Sequence, residues 1–446
     1  MTLSIINRPP GPRGNPLTGN LLEFRRDPLG FLTMCARNYG PIVRLRFARI
    51  TAYLINEPDY IKDVLVTNHH NFIKAKQLRA NRRVFGNGLL TSEGDSWMSQ
   101  RRLAQPAFHR KRIAAYGDIM VSYTEQMLAR WREGGIRDIH EDMNDLALAI
   151  VGKTLFNADV SGEANALGTA PKTVIKQFAS RRGLSGLIPE AMPTPANLRY
   201  KRAVMHLDEI IYSIIRHRRA IGEDPGDLLS MLLHARDEDG NQMTDKQLRD
   251  ETMTLLIAGH DTTALALSWV LYLLSQHPQV ENRLLEELET VLGTRAPNLD
   301  DLPKLSYTEM VIKEAMRLYP PAWMISREAL EDCNIGGYYV PSGTKLLMSQ
   351  WVTHRDPRFF PNPEEFIPDR WADDLVKQLP VYAYFPFGGG PRICIGNTLA
   401  MMETVLILAT IVQKFRLTLV PGFSVIPWTS LTLRPKGGIK MVPTRR

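Results

Sequence analysis

The segment Phe385-Pro-Phe-Gly-Gly-Gly-Pro-Arg-Ile-Cys-Ile-Gly396 holds one cysteine, Cys394, in a run of glycine and proline that ends where a helical pattern begins. Backbone N–H groups in such a loop, and the N-terminus of the helix after it, stabilise a thiolate over a thiol. A thiolate is a nucleophile or a metal ligand. The glycines also let the backbone come close to a bulky planar ligand. Arg392, two residues away, offers a cation for an anionic group on that ligand. A glycine-rich turn around an incidental buried cysteine is the plainer reading of the same residues.

Three other groups combine reactive or charged side chains at helical spacing. In Ala258-Gly259-His260-Asp261-Thr262-Thr263, an acid and a hydroxyl follow the apolar run Leu255-Leu256-Ile257. A threonine inside a helix can donate to the carbonyl four residues back, here that of Ala258, and loosen the helix there. An Asp-Thr pair in so apolar a setting costs free energy unless both groups are partnered. His260 lies about 100° round the helix from Gly259 and reads as a packing or solvent histidine, not a ligand. Glu314 and Arg317 share a helix face and can pair, although an exposed pair of this kind contributes little. Trp97 and Arg101 stand one helical turn apart.

These groups need elements to position them. Thr244 with Gln247 three residues on is a capping-box pattern, and helical spacing continues to Gln276, where His277-Pro278 stops it. A helix of 32 residues would span about 48 Å, long enough to cross a whole domain. Its small, apolar middle leaves room for something flat. A second helix is predicted over about 395–414. Residues 41–47 and 50–56 read as a β-hairpin, and 325–329, 335–340 and 344–349 as short strands. From about 57 to 320 the pattern is mostly helical, with breaks at Gly134-Gly135, 183–197 and 222–227. Residues 355–387 read as largely irregular. The first 20 residues form a Pro- and Gly-rich lead-in.

Composition narrows the class. The chain has 446 residues, 44% hydrophobic and 23% charged, an ordinary globular balance. Its net charge of +8 suits an acidic partner and does not by itself call for nucleic acid. Cys35, Cys333 and Cys394 have no CxxC spacing, which excludes a disulfide framework, a zinc finger and CxxCH haem attachment. No run of about 18 apolar residues and no leader pattern are present, so a soluble, cytoplasmic protein without a transmembrane segment is expected.

The four groups together resemble the cytochrome P450 family of haem-thiolate monooxygenases. The family's loop, Phe-x-x-Gly-x-Arg-x-Cys-x-Gly, is met without a gap by Phe387, Gly390, Arg392, Cys394 and Gly396, with Ala400 also in place. Glu314-Ala-Met-Arg317 matches the family's Glu-x-x-Arg. Pro368-Asp369-Arg370-Trp371 matches a later site that often reads Glu-Arg-Phe, so Asp369 and Trp371 depart from the pattern while Arg370 keeps it. Ala258 to Thr263 resembles the oxygen-activation motif, Trp97 and Arg101 the family's Trp-x-x-x-Arg, and Arg327 the family's other propionate-binding arginine.

The resemblance implies one mainly α (α+β) domain over residues 1–446. It has a small β-rich lobe, with haem b between the long helix and the helix after the cysteine loop. It has no membrane anchor and no fused reductase. Cys394 would be the axial ligand of iron, with Phe387, Gly396 and Ala258 against the cofactor. Trp97, Arg101, Arg327 and Arg392 would hold its carboxylates. Glu314, Arg317 and Arg370 would form a buried charge triad, and Asp261 and Thr262 would supply protons. Phe85, Leu89, Leu90, Leu255, Ala258, Ala322, Trp323, Met324 and Leu431 would line an apolar pocket for a fatty acid, terpenoid, steroid or polyketide.

The implied reaction inserts one atom of O₂ into that substrate by hydroxylation or epoxidation, with electrons from an acidic ferredoxin or flavodoxin and its reductase. The partner would dock on a basic helix running from Trp97 through Arg101, Arg102, His109, Arg110, Lys111 and Arg112. Two alternatives stand beside this. A peroxide-driven hydroxylase of the same fold would replace the Asp-Thr pair with an arginine. A haem sensor or carrier would need no proton relay.

Overall fold

The computed structural model describes residues 7–79, 81–157, 170–180, 192–222, 226–236 and 240–446. At Gln77, Arg110, Lys111, Phe156, 176–180 and Ile221 it describes the backbone alone. Most of the expected break at 183–197, and the middle of that at 222–227, lie outside the described residues. The chain folds as two compact units, Met1–Ala80 with Glu314–Cys394 and Asn81–Lys313 with Ile395–Arg446.

The first unit is built on a five-stranded sheet. Its order is Ile42–Phe47, Ile50–Ile55, Lys345–Met348, Ile325–Ala329, Phe72–Lys74. The first two strands form the expected hairpin, with Ile42 opposite Ile55 and Phe47 opposite Ile50. Ile50–Ile55 runs parallel to Lys345–Met348, and the other neighbours are antiparallel. Ile42, Tyr53, Ile55, Phe72, Leu346, Met348 and Phe385 bury one face of this unit. The lead-in is pinned to it: Asn7 O accepts the Tyr339 N–H at 2.9 Å, and Pro10 O accepts that of Arg44 at 2.7 Å. Gly11 follows against the Arg44 carbonyl, where a Cβ would overlap it. The single strand expected at 335–340 is instead a two-stranded ribbon, Cys333–Ile335 and Tyr338–Val340. Gly336 and Gly337 between them have φ of +57° and +82°, the paired left-handed geometry of a tight hairpin turn.

The second unit surrounds the long helix, Asp245–Gln276. Thr244 and Gln247 close a reciprocal capping box at its start. Among the described residues it is the one helix long and apolar enough to cross a bilayer, but 78% of its apolar window is buried inside the fold, as in a core helix. It packs most extensively on Ile139–Phe156, and also on Pro195–Ile221 and on Asn397–Lys414, the helix after the cysteine loop. A three-stranded sheet of Arg137–Asp138, Lys440–Arg445 and Phe415–Leu419 and a hairpin of Ile426–Thr429 with Leu433–Lys436 complete it.

The basic segment is not the continuous helix expected from Trp97 to Arg112. The helix Gly94–Ala104 gives way to a 3₁₀ turn, Gln105–Phe108, and then to a short helix, Arg110–Ile113. Pro106 explains the break, because its ring cannot continue the i→i−4 ladder.

Candidate functional site

The cysteine loop is held by its own backbone. The Cys394 N–H donates to Phe387 O at 3.0 Å, Ile393 N–H to Gly390 O at 3.0 Å, and Gly388 N–H to Phe385 O at 2.9 Å. Gly390 N–H donates to the Tyr382 hydroxyl at 3.0 Å. Gly388 and Gly390 take φ of +75° and +64°, and a Cβ on Gly390 would overlap the Leu65 carbonyl, so glycine is required there by both conformation and space. Cys394 itself is exposed. Cys35 is buried, and desolvation pushes its thiol up to about 12. Cys333 is half-buried, and desolvation followed by nearby Asp63 and Asp332 raises its thiol too.

In the same unit Glu314 gathers five donors. Its Oε1 accepts from Arg317 Nη2 at 2.8 Å, Arg370 Nε at 2.9 Å and Ile367 N–H at 3.0 Å. Its Oε2 accepts from Arg317 Nε at 2.8 Å and Trp371 Nε1 at 2.9 Å. Arg317 spends its remaining N–H groups on the carbonyls of His354, Pro363 and Glu365 at 2.6–2.9 Å. Glu314 and Arg317 are wholly buried. Trp371, a departure from the family pattern, is thus a member of the network, which sequence reasoning had not found. Arg327 is buried in the strand Ile325–Ala329, opposite Lys74, and its Nη1 donates to Ser326 O at 3.0 Å. Trp323 is buried, and Ala322 and Met324 are half-buried, just before that strand. Arg392 and Phe387 are half-buried.

In the second unit the long helix changes character at its middle. Its residues are largely buried, yet Ala258 is exposed and Leu255, Gly259 and Thr262 are partly so. These four positions share one face at helical spacing, giving a narrow accessible strip that is small-residued at Ala258 and Gly259. Thr262 Oγ1 donates to Ala258 O at 2.7 Å. Asp261 points elsewhere. Its carboxylate is paired with Arg434 and accepts from Thr432 Oγ1 at 3.0 Å, on and beside the hairpin strand Leu433–Lys436. Thr432 and Arg434 carried no local sequence signal for this role.

His260 is fully buried and packs within the fold; desolvation pulls its pKa down to about 4, so the ring is neutral. His140, on the neighbouring helix, is pulled down to about 4 by the same cause and lies 3.2 Å from Ser268 Oγ. Glu403, on the helix Asn397–Lys414, meets Thr263 Oγ1 at 3.5 Å, and desolvation pushes its carboxyl up to about 8. A lone acid in the run Met401 to Val412 was the signal that could have exposed it.

Glu403 makes the stability of the fold depend on pH. Its folded pKa of about 8 lies above its ordinary 4.5, so between those values the native state keeps a proton that the unfolded chain releases. Stability contributed this way falls as pH rises through the window. Glu403→Gln, which cannot ionise, is expected to lose less melting temperature than the parent between about pH 5 and about 8. Equal slopes for the two proteins would remove Glu403 from the effect.

Trp97 is buried on the helix Gly94–Ala104, one turn before half-buried Arg101. Arg101, Arg102, Gln105, Pro106, Phe108, His109 and Arg112 line an open recess of about 930 Å³. The side chains of Arg110 and Lys111 lie outside the described residues. Phe85 and Leu89 are buried with Leu256 and Ile257, and Leu90 and Leu255 pack at the edge of the same cluster. The long helix fixes that segment with two carboxylates missed from sequence. Asp250 Oδ2 accepts the Asn87 N–H at 2.9 Å, and Glu251 Oε2 that of Leu89 at 3.0 Å. Leu431 is 44% exposed in the turn before Leu433, apart from that cluster.

The sequence profile described as Cytochrome P450 matches residues 9–441. The chain belongs to the cytochrome P450 family. It is 39% identical over 413 residues to cyclooctat-9-en-7-ol 5-monooxygenase of Streptomyces melanosporofaciens, covering 92% of this chain and 90% of that one. It is 35% identical over 418 residues to pentalenene oxygenase of Streptomyces avermitilis, covering 93% and 92%. The haem domain of cytochrome P450DA superposes with a TM-score of 0.90 at 27% identity, covering 99% of this chain and 98% of that one. A retinoic-acid-bound cyanobacterial P450 superposes with a TM-score of 0.88 at 26% identity, covering 99% and 100%.

The fold is therefore the P450 haem-domain fold, and this cytochrome P450 is a haem-dependent monooxygenase that uses O₂, a lipophilic substrate and electrons from a redox partner. The residues present fit that cofactor. An exposed thiol stands in a glycine cradle before a helix, and an accessible strip centred on Ala258 and Gly259 interrupts a largely buried helix.

Proposed function

We propose that this cytochrome P450 hydroxylates or epoxidises a terpenoid substrate on haem b. Cys394 would supply the thiolate that ligates its iron, and an acidic ferredoxin, or a flavodoxin, with its reductase would be the electron source. The observation that carries the substrate class is the naming of two relatives for pentalenene and cyclooctat-9-en-7-ol, each aligned over more than nine-tenths of this chain. The apolar cluster of Phe85, Leu89, Leu90 and Leu255 supports it, and this reading assigns substrate contacts to those residues and to Ala258 and Leu431. Family position adds Ala322, Trp323 and Met324. A cytoplasmic, soluble enzyme fits three cysteines that form no disulfide.

When bound, the haem supplies the redox-active iron on which O₂ is reduced and split, and a thiolate ligand favours O–O cleavage by pushing electron density onto the metal. The protein's residues do the rest. Arg101, Arg327 and Arg392 would offset the charges of the cofactor's carboxylates, with Trp97 as an added donor. The Phe387 carbonyl fixes the Cys394 backbone, and Gly396 and Ala258 would lie against the cofactor. Apolar side chains exclude water from the reacting bond. Thr262 holds its proton on the Ala258 carbonyl and can turn it toward the accessible strip. Asp261 is held by Thr432 and Arg434 on the hairpin side, so to act in proton delivery it would first have to leave one of these partners.

Two measurements test the reading. Pentalenene-like hydrocarbons should shift the ferric spin state where small polar compounds do not, and the shifted complexes should give oxygenated product with ferredoxin, reductase and NADPH. Shifts confined to small polar compounds would overturn the substrate class. Product formed with peroxide but never with the electron-transfer chain would favour the peroxide-driven alternative.

Thr262→Ala should still bind substrate and consume O₂, but release much more of it as hydrogen peroxide. A change of about 1.4 kcal/mol in one barrier is tenfold in the partition. Product per NADPH equal to the parent's would exclude Thr262 from proton delivery.

Reduction by an acidic ferredoxin should slow as salt rises, because exposed charges are screened beyond about 8–10 Å. Arg102→Glu with Arg112→Glu should slow it at low salt and leave peroxide-driven turnover alone; both side chains are exposed beside the basic recess. Unchanged low-salt reduction would place the partner elsewhere.

A further inference from the structure

Inside the first unit a path of hydrogen bonds, joined by covalent links within His354 and the loop, runs from the carboxylate of Glu314 to the backbone of Cys394, and His354 is the link that none of the roles above uses. His354 follows the short helix Gln350–Thr353 and is fully buried. It is held at both ends. Its carbonyl accepts from Arg317 Nη1 at 2.9 Å, and its ring Nε2 accepts the Phe385 N–H at 2.9 Å. From Phe385 the path continues through the loop. Phe385 O takes the Gly388 N–H at 2.9 Å, and Phe387 O takes the Cys394 N–H at 3.0 Å.

Packing runs alongside. The imidazole centroid lies 4.9 Å from that of Tyr384 and 5.3 Å, edge-on, from that of Phe385. Tyr384 rests against Trp371 at 4.5 Å, and Trp371 donates to Glu314.

A histidine meets two demands that few side chains meet together. The Phe385 N–H is buried and needs an acceptor, since a stranded donor there costs more than an ordinary hydrogen bond gains. The space between two aromatic rings also needs a flat side chain. A neutral imidazole with its proton on Nδ1 satisfies both, at the cost of leaving that buried Nδ1 itself without a hydrogen-bond partner among the described residues. Burial, followed by the charges of Arg317 and Arg355, holds the ring well below its ordinary pKa, so it stays in the accepting form.

We propose that His354 is a positioning residue for the axial cysteine. It carries the rigidity of the Glu314–Arg317–Arg370 network into the loop, so that the Phe387 carbonyl, and through it the Cys394 backbone, stays where the sulfur meets iron as a thiolate. The inference rests on the assignment of Cys394 as the haem ligand.

The test uses the holoenzyme and two variants. His354→Phe keeps a flat ring but offers no acceptor, whereas His354→Gln restores one through its side-chain carbonyl. Haem content and thermal melting report structure. The reduced carbon monoxide complex reports the ligand, as a red-shifted Soret band for thiolate and a blue-shifted one when the sulfur is protonated or displaced. His354→Phe should load haem, show more of the blue-shifted form and convert to it about tenfold faster at fixed temperature, the scale of one lost buried hydrogen bond. His354→Gln should stay near the parent.

A folded His354→Phe with the parent's spectrum and conversion rate would overturn the proposal, as would a folded His354→Gln no better than His354→Phe. If His354→Phe does not fold, hydrogen exchange at the Phe385 amide of the parent decides. Protection matching the strand Ile325–Ala329 supports the link, and rapid exchange removes it. A parent lacking the red-shifted band altogether would instead sink the assignment of Cys394, which separates the two failures.

Discussion

Cys394→Ala should abolish the red-shifted Soret band of the reduced carbon monoxide complex, while Cys35→Ala and Cys333→Ala keep it. The three thiols stand in different surroundings. Cys35 is enclosed in the helix Pro28–Tyr39, and burial pushes its pKa up to about 12, so it has almost no thiolate to offer at neutral pH. Cys333 opens a short ribbon strand, and its thiol is also raised, by desolvation and two nearby aspartates. Neither is preceded by a turn that the backbone closes on itself. Cys394 is exposed, tied by its own N–H to Phe387 O, and followed three residues on by the start of a helix, whose N-terminal partial charge favours an anion. Losing the metal–sulfur bond should remove the band completely rather than weaken it. A normal band in Cys394→Ala, or its loss in either of the other two variants, would require a different ligand.

Glu314→Ala should yield little haem-loaded protein and a much lower melting temperature. Five donors converge on this carboxylate, two of them from an arginine with no exposed surface. Removing the carboxylate leaves the Arg317 charge buried and the Trp371 N–H without its partner. Stranding one member of a buried ion pair costs roughly 3–5 kcal/mol, a large part of the stability of an ordinary domain. The effect should be greatest where Arg317 also braces the carbonyls of His354, Pro363 and Glu365. Glu314→Gln, which keeps the shape but not the charge, should fall between the two. Melting and haem content equal to the parent's in Glu314→Ala would mean that the buried arginine finds another counter-charge.

Much of this molecule could be read from local chemistry. The cysteine loop was legible because its demands are backbone demands. Gly388 and Gly390 occupy conformations that other residues resist, and such requirements leave glycine in the sequence whatever the rest of the chain does. The long helix was legible for a similar reason, since Thr244, Gln247 and His277-Pro278 mark its ends within a few residues of where it starts and stops. The basic helix failed where a local signal was passed over: Pro106 breaks it.

The tertiary structure alone decided what the polar side chains face. Asp261 was legible as an acid beside Thr262, but its partner, Arg434, is 173 residues away, and that pairing turns the carboxylate toward the hairpin. Trp371 reaches Glu314 across 57 residues, Phe385 reaches His354 across 31, and Leu89 reaches Glu251 across 162. The raised carboxyl of Glu403 comes from burial, which no window of sequence reports. Spacing along a helix or loop determines which side chains share a face, because backbone geometry repeats over a few residues. Which partner each one meets, and how much water it keeps, is set by packing between segments far apart in the chain.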